Sequence, residues 1–337
     1  MIEFDKYVNE PTNYNANTAL QEPDELNETV ISATIPKCYA GLRLDQALVK
    51  LFPNWSRSRL QLWISQKRVT LDGKAVNSKQ KVWGNEQVWV NPKNLSPDHP
   101  FSAEAIQLNI IYEDDSLIII NKAAGMVVHP GNGNWHGTML NALLHHAPQL
   151  NNIPRAGIVH RLDKDTSGLL VVAKTIDAQI NLIRQMQRHE VKRNYLALVL
   201  GHVSQNGFVD QPIGRHPIQR TKMAVIKNGK PARTHYQILE HFNGCTLLQC
   251  SLETGRTHQI RVHMHNIGHP LAGDPVYGGK PKKIIQEIGQ LLSIFPRQAL
   301  HAQQLVFAHP KNNKIMCWEA AIPEDIDALL RTLRQNN

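Results

Sequence analysis

The chain lacks the features that mark several large classes of protein. Its four cysteines, Cys38, Cys245, Cys250 and Cys317, form no Cys-x-x-Cys pair and no dense framework in 337 residues. That excludes a disulfide-stapled fold and predicts reduced thiols in a cytoplasmic protein. No stretch approaches 18 uninterrupted apolar residues, and the N-terminus is acidic and polar where a signal peptide would be basic and then apolar. The expectation is a soluble intracellular protein with no membrane partner. A Gly-rich dinucleotide fingerprint and a zinc-ligand pattern are also missing, so no cofactor and no metal are expected. His258, His263, His265 and His269 are close in sequence, but their spacing fits no familiar zinc pattern and no cysteine lies near them.

What is present is ordinary globular composition, 42% hydrophobic and 19% charged, with a net charge of +9. The length suits two domains. Residues 1–30 hold one base against seven acids, which leaves +15 on the rest of the chain and points to an anionic partner such as nucleic acid. We read residues 1–32 as an acidic tail with too little apolar content to order itself.

Residues 33–92 read as a compact basic module. Leu44, Ala47, Leu48 and Leu51 share helical spacing, and Pro53 stops that helix. Ser56 is placed to cap a second helix whose Leu60, Trp63 and Ile64 share a face. Val69 to Val76, with Asp72-Gly73 between, reads as a tight hairpin. Arg43, Arg57, Arg59, Lys67 and Arg68 make the module a candidate for phosphate contacts, though basic helix faces are often only solvated surface. Residues 93–103, with Pro97 and Pro100, suit a linker.

In the remainder, residues 104–334, the most informative stretch runs from Gly157 to Lys174. Two apolar runs, Ile158-Val159 and Leu169 to Ala173, read as buried strands around a loop holding His160, Arg161, Leu162, Asp163, Lys164, Asp165, Thr166 and Ser167. A polar loop between buried strands is a common seat for catalysis, but a solvated turn would look the same. Beyond it, Ile180, Ile183 and Met186 are expected to face inward from a helix capped by Asp177. Tyr195 starts an apolar strand, where a tyrosine usually fills core. Residues 215–233 carry Arg215, Arg220, Lys222 and further bases with no acid, which reads as a basic loop facing RNA or, more blandly, as an exposed surface ribbon. Asn243-Gly244 joins two strands, and Pro323 opens a closing helix with Ile326, Leu329, Leu330 and Leu333 inward.

His160-Arg-Leu-Asp163 with Thr166-Ser-Gly-Leu169, then Lys192-Arg-Asn-Tyr195-Leu-Ala-Leu-Val, then Leu252-Glu-Thr-Gly-Arg256-Thr-His-Gln-Ile-Arg261-Val-His-Met, resemble in order the three motifs of the RluA-type pseudouridine synthases. The basic module resembles an S4 RNA-binding domain. The resemblance implies an α+β fold: an N-terminal S4-like domain, then a mixed, largely antiparallel β-sheet catalytic domain with flanking helices and a central cleft. It implies an isomerase that converts uridines of large-subunit ribosomal RNA to pseudouridine, in a stem-loop at the subunit interface during ribosome assembly, working as a monomer on that RNA. It also implies Asp163 as the catalytic carboxylate, in preference to Asp165, which competes in the same loop, Arg261 as its ionic partner, and Tyr195 against the target base, there to stack on the uracil or to serve as the base directly or through water. Arg161 would fill the gap left by the flipped uridine, His160 would orient the loop, Leu162 and Ile260 would wall the pocket, and Arg256 would contact substrate. A non-catalytic assembly factor, a histidine-rich metallohydrolase, and a synthase acting on other ribosomal or transfer RNA uridines are the competing readings.

Overall fold

The computed structural model describes residues 30–52, 55, 57–92, 101–131, 134–279 and 286–336. Pro53, Ser56, most of the acidic tail, residues 93–100 of the linker and the Arg59 side chain lie outside the described residues. The chain divides into two compact units, Met1–Ser96 and Pro97–Asn337.

In the first unit, β1 (Ile31–Thr34), α1 (Leu44–Leu51), α2 (Arg57–Ser65), β2 (Val69–Leu71), β3 (Lys74–Ala75) and β4 (Gln87–Val90) follow in order. The strands form an antiparallel sheet ordered β1-β4-β2-β3. The β2–β3 hairpin turns on Asp72 and Gly73, both with positive φ, as a two-residue primed turn requires. Leu44, Ala47, Leu48, Leu60, Trp63 and Ile64 meet Val69, Val88 and Val90 in one core. Leu51 sits only at its margin.

The second unit opens with β5 (Ile110–Glu113), β6 (Leu117–Lys122) and α3 (Met139–His146). The central motif leads into β7 (Ser167–Ala173), then α4 (Ile176–Gln187), β8 (Lys192–Leu200) and β9 (Gly207–Asp210). A two-stranded hairpin, β10 (Ile213–Arg215) with β11 (Met223–Val225), stands apart from the main sheet. The long hairpin β12 (Arg233–Phe242) and β13 (Cys245–Leu252) turns at Asn243-Gly244, and α5 (Gln259–Asn266), α6 (Gln286–Ile294), β14 (Leu300–Ala308), β15 (Ile315–Glu319) and α7 (Glu324–Gln335) complete the chain. The nine-stranded sheet runs β5-β6-β7-β14-β8-β13-β12-β9, with β15 against β14. All its pairings are antiparallel except β7 with β14, so the sheet is mixed and largely antiparallel, as expected.

Alternation along the strands assigns the two faces. Ile118, Ile120, Leu170, Val172, Tyr195 and Ala197 pack with Met139, Leu140 and Leu143 of α3 and Ile260 and Met264 of α5. Leu117, Ile119, Leu169 and Val171 face α4, while Leu196 and Leu198 face α6 and α7.

Two expectations fail locally. Ile158-Val159 is not a strand: Arg155, Ala156 and Gly157 all have positive φ, so the chain turns sharply and leaves only a single Ile158–Val172 bridge. The helix α4 is also rotated from its expected setting. It is capped by Thr175, whose hydroxyl accepts from the Ala178 amide, and it buries Ala178, Gln179, Leu182 and Gln185 while Ile180 and Ile183 are exposed. The inward glutamines are satisfied: Gln179 donates to the Pro154 carbonyl, and Gln185 donates to the Ala308 carbonyl and accepts from the Ala308 amide.

Candidate active site

The loop before β7 is fixed from both sides. On one side Lys122, at the end of β6, is 1% exposed and donates to the carbonyl oxygens of Ala123, Met126 and Lys164. Burial pushes its ammonium down to about 7. On the other side Arg297, held by both carboxylate oxygens of Asp325, donates to the Asp165 carbonyl at 3.0 Å, and Gln298 donates to the Thr166 hydroxyl. Within the loop the Thr166 amide donates to the Asp163 carbonyl. His160 points into the protein, where its Nε2 accepts from the Val171 amide at 3.1 Å and takes the place of a missing strand partner. Burial, with Arg193 nearby, pushes that imidazole down to about 3, so it stays neutral.

So held, Asp163 presents a partly exposed carboxylate whose Oδ2 accepts from Nη1 of Arg261 at 3.0 Å. The residues expected to pair from positions 98 apart are therefore together. Arg261 lies on the first turn of α5 and is 4% exposed. Its Nε and Nη2 both donate to Asp274, at 2.7 and 2.8 Å, leaving Nη1 for Asp163. Burial alone would lower the Arg261 pKa, but the carboxylates of Asp274 and Asp163 hold it above the ordinary arginine value. Burial alone would likewise push Asp274 up, yet Arg261 and the amides of Tyr277 and Val276 hold its carboxyl below the usual range.

His258 supplies a third neighbour. It caps α5 in the left-handed region, at φ 57, with Nε2 3.9 Å from Oδ1 of Asp163 and Nδ1 2.9 Å from the Tyr277 hydroxyl. That hydroxyl also accepts from the Met223 amide, which ties the β10–β11 hairpin to the site. Arg215, Arg220 and Lys222 lie at the tip of the same hairpin, where Arg215 donates to the Arg220 carbonyl.

Tyr195 is 6% exposed and shares the core cluster of Leu162 and Ile260, each almost fully buried. Burial raises its hydroxyl pKa, against a smaller lowering by the charge of Arg193, and the charge of Asp163 adds the least, upward. Arg161 is exposed, and among the described residues its guanidinium has no hydrogen-bond partner. Arg256 is drawn instead to the Pro231 carbonyl, at 3.0 Å. Two other histidines of that cluster have hydrogen-bond partners: His263 binds Thr234 and the Gln211 carbonyl, and His269 binds the Leu200 carbonyl.

In the first unit Asp45 is fully buried and accepts from Arg43, Arg57 and Gln61, which holds two of the expected phosphate-binding arginines at one point while each stays partly exposed. Lys67 adopts a positive φ in the turn from α2 to β2, next to Arg68.

Asp274 and Tyr277 were missed as site residues. A signal for Asp274 exists: it is the single acidic residue between Glu253 and Glu287, and an arginine buried on α5 needs a counter-charge.

The sequence pattern of RNA pseudouridylate synthases matches residues 116–266, which include Asp163, Tyr195 and Arg261, and that of the S4 domain matches residues 42–88. The chain belongs to the RNA pseudouridylate synthase family and is an isomerase. It is similar to the ribosomal large subunit pseudouridine synthase D of Nitrosomonas europaea, 62% identical over 308 residues that cover 91% of this chain and 89% of that one. The protein of the same name from Escherichia coli K12 is 52% identical, over 90% of this chain and 94% of its own. Among solved structures, human RNA pseudouridylate synthase domain containing 4 aligns with a TM-score of 0.54 at 26% identity, covering 67% of this chain and 93% of that one. Human RNA pseudouridylate synthase domain containing 1 aligns at 0.51 and 25% identity, covering 69% and 96%. Among the described residues no helix is long and apolar enough to cross a membrane.

Proposed function

We propose that this chain isomerises uridines of large-subunit ribosomal RNA to pseudouridine, in a stem-loop of the assembling subunit, as a cytoplasmic monomer. The observation that carries the catalytic assignment is the ion-paired row Asp274–Arg261–Asp163 beside the apolar floor of Tyr195, Leu162 and Ile260. The names of the similar proteins support ribosomal RNA as the substrate.

The reaction breaks the bond from ribose C1′ to N1, turns the uracil and rejoins it through C5. N1 gains a proton and C5 loses one, so the product is an isomer. Asp163 is the carboxylate that acts on the nucleotide, at C1′ or C6, and it can do so only when ionised. Arg261 keeps it ionised and aimed, because a neighbouring cation opposes the pKa rise that burial under RNA would bring. Tyr195 stacks on the displaced uracil. Its raised pKa disfavours direct removal of the C5 proton at neutral pH; after attack at C1′ the Asp163 carboxylate is freed as the new C1′–C5 bond forms and takes that proton, and after attack at C6 the proton leaves through water beside Tyr195. Arg161, exposed and unpaired within the protein, occupies the space of the extruded uridine. His160 acts through the loop it anchors, and Arg256 shapes the Pro231 turn beside the basic hairpin.

The test is tritium release from large-subunit ribosomal RNA labelled at uracil C5, followed by mapping of the modified positions. Wild-type protein releases tritium and Asp163→Asn, which keeps shape and loses charge, releases none. Full cellular function of Asp163→Asn would instead favour a binding-only assembly factor, and release from transfer RNA alone would move the substrate.

A further inference from the structure

Arg193 is a buried cation that the chemistry above leaves without a task. It lies on β8 two residues before Tyr195, so strand alternation turns both side chains to the face of the sheet that α5 covers. It is 8% exposed. Among the described residues it makes no ion pair: neither its Nε nor its Nη1 has a hydrogen-bond partner, and Nη2 reaches only the Glu253 carbonyl, at 3.4 Å. The Glu253 carboxylate is turned instead to His235, at 2.6 Å, and to Arg233, at 3.7 Å. A guanidinium so enclosed and so poorly paired is costly to keep, because burial strips its hydration and no carboxylate stands by to offset that.

Its neighbours place this charge at the reacting nucleotide. After burial, Arg193 is the strongest influence on His160 of the catalytic loop, which it pushes down, and on Tyr195, whose raised pKa it lowers. The guanidinium also lies against the turn that joins β13 to α5: Nη1 is 2.7 Å from where a Cβ on Gly255 would stand. Gly255 is exposed, and further along the same turn His258 brings Nε2 within 3.9 Å of Oδ1 of Asp163. The backbone at 255 does not demand glycine, since its φ lies outside the left-handed region. What the missing Cβ does is leave Nη1 uncovered.

Resting on the isomerase reading above, we infer that Arg193 receives a phosphodiester adjoining the target uridine, so that the RNA brings the counter-charge the protein withholds. A planar guanidinium with free N–H donors is the side chain best matched to phosphate oxygens. A phosphate held there carries no sequence information but fixes the register of its nucleotide, and so sets the ribose and base at Asp163 once the uridine has left the stack. The diester bears its charge before, during and after the isomerisation. Arg193 therefore acts in binding, not in the chemical step.

The test uses a synthetic stem-loop that covers a mapped modified uridine, made intact and with each phosphate near the target replaced in turn by an uncharged methylphosphonate. Filter binding across a salt series and single-turnover tritium release are measured for full-length wild type, Arg193→Met and Gly255→Ala, with circular dichroism to confirm the fold. At one phosphate adjoining the target the methylphosphonate should weaken wild-type binding about 10-fold, Arg193→Met should bind intact RNA about 10-fold more weakly, and the two losses together should not exceed either alone. The salt slope for Arg193→Met should fall by about 1, the mark of one lost phosphate contact. Gly255→Ala keeps the charge and covers Nη1, so it should repeat the weaker, non-additive binding, and it carries the test by itself if Arg193→Met does not fold. Losses that add at every phosphate, or an Arg193→Met protein that binds intact RNA as wild type does, would overturn the assignment; in the second case, slowed tritium release would assign the charge to the departing uracil. Non-additive binding with no tritium release from wild type would leave the phosphate site standing and remove the isomerase reading instead.

Discussion

A guanidinium has three faces of donors, and in Arg261 they are divided so that one carboxylate fixes the side chain and the other is served by it. Asp274 takes Nε and Nη2, and Asp163 takes Nη1. Asp274 thus acts as a positioning residue, through Arg261, for a carboxylate it does not touch. Asp274→Asn replaces a two-oxygen acceptor by one oxygen and an amino group that repels the arginine. The expected result is a fall in kcat of roughly 100-fold with KM nearly unchanged, because misplacement of a reacting group by about 1 Å costs that much while RNA binding rests on other residues. Steady-state tritium release separates the two constants. The same change breaks a buried ion pair, so the unfolding midpoint in urea should also fall, by about 3 to 5 kcal/mol in stability. At this scale the sequence motif brought Asp163 and Arg261 to notice as a pair. Asp274 stayed hidden because a lone acid in a Gly/Pro-rich turn carries no periodic signal, and only the burial of Arg261 reveals that a counter-charge is needed.

Among the elements, β7 does most to set the site, since it receives the catalytic loop and pairs in opposite senses with its two neighbours. Its start is parallel to β14, through Ser167–His301 and Gly168–Ala302, and its length is antiparallel to β6. Gly168 sits there at φ 113, and a Cβ would run into the backbone of Ala302. Gly168→Ala should therefore force β7 and β14 apart and displace Asp163, which lies five residues upstream. The expected outcome is loss of tritium release together with a lowered unfolding midpoint. Gly125→Ala is the matched control, because it shares a positive φ but meets nothing within 4 Å and should lose far less of both. Turn chemistry and strong periodicity made other elements legible, such as the Asp72-Gly73 and Asn243-Gly244 hairpins and α7 with Ile326, Leu329, Leu330 and Leu333 buried. Misreadings arose where tertiary contacts override local pattern. Ile180, Ile183 and Met186 read as a buried stripe on α4, yet only Met186 packs against the core, and the helix buries Gln179 and Gln185 because backbone carbonyls on neighbouring segments await them.

For the whole molecule the governing quantity is charge, +9 overall and larger outside the acidic first 30 residues, on a protein whose ligand is a polyanion. Cations that neutralise phosphates release counterions, so binding should weaken linearly with the logarithm of salt concentration. The first unit adds a refinement, since Arg43 and Arg57 converge on the buried Asp45, together with Gln61. Burial would push the Asp45 carboxyl up, but Arg57, Gln61 and Arg43 hold it below the ordinary value, so it is ionised at neutral pH. Two accounts of this cluster make opposite predictions for Asp45→Asn. If only net charge matters, removing an acid beside two arginines strengthens RNA binding. If Asp45 fixes both guanidinium groups in the geometry that meets successive phosphates, removing its charge frees two long side chains, whose ordering must then be repeated on binding at about 0.5 to 1.5 kcal/mol each. The second account follows from a carboxylate with no exposure that binds both arginines, so Asp45→Asn should weaken RNA binding about 5- to 10-fold. The salt slope should stay unchanged, because the number of phosphate contacts is the same. Filter binding across a salt series reads both quantities, and a circular dichroism melt shows that the unit is still folded. Tighter binding by Asp45→Asn at every salt concentration would rule out the positioning role and leave simple charge as the explanation.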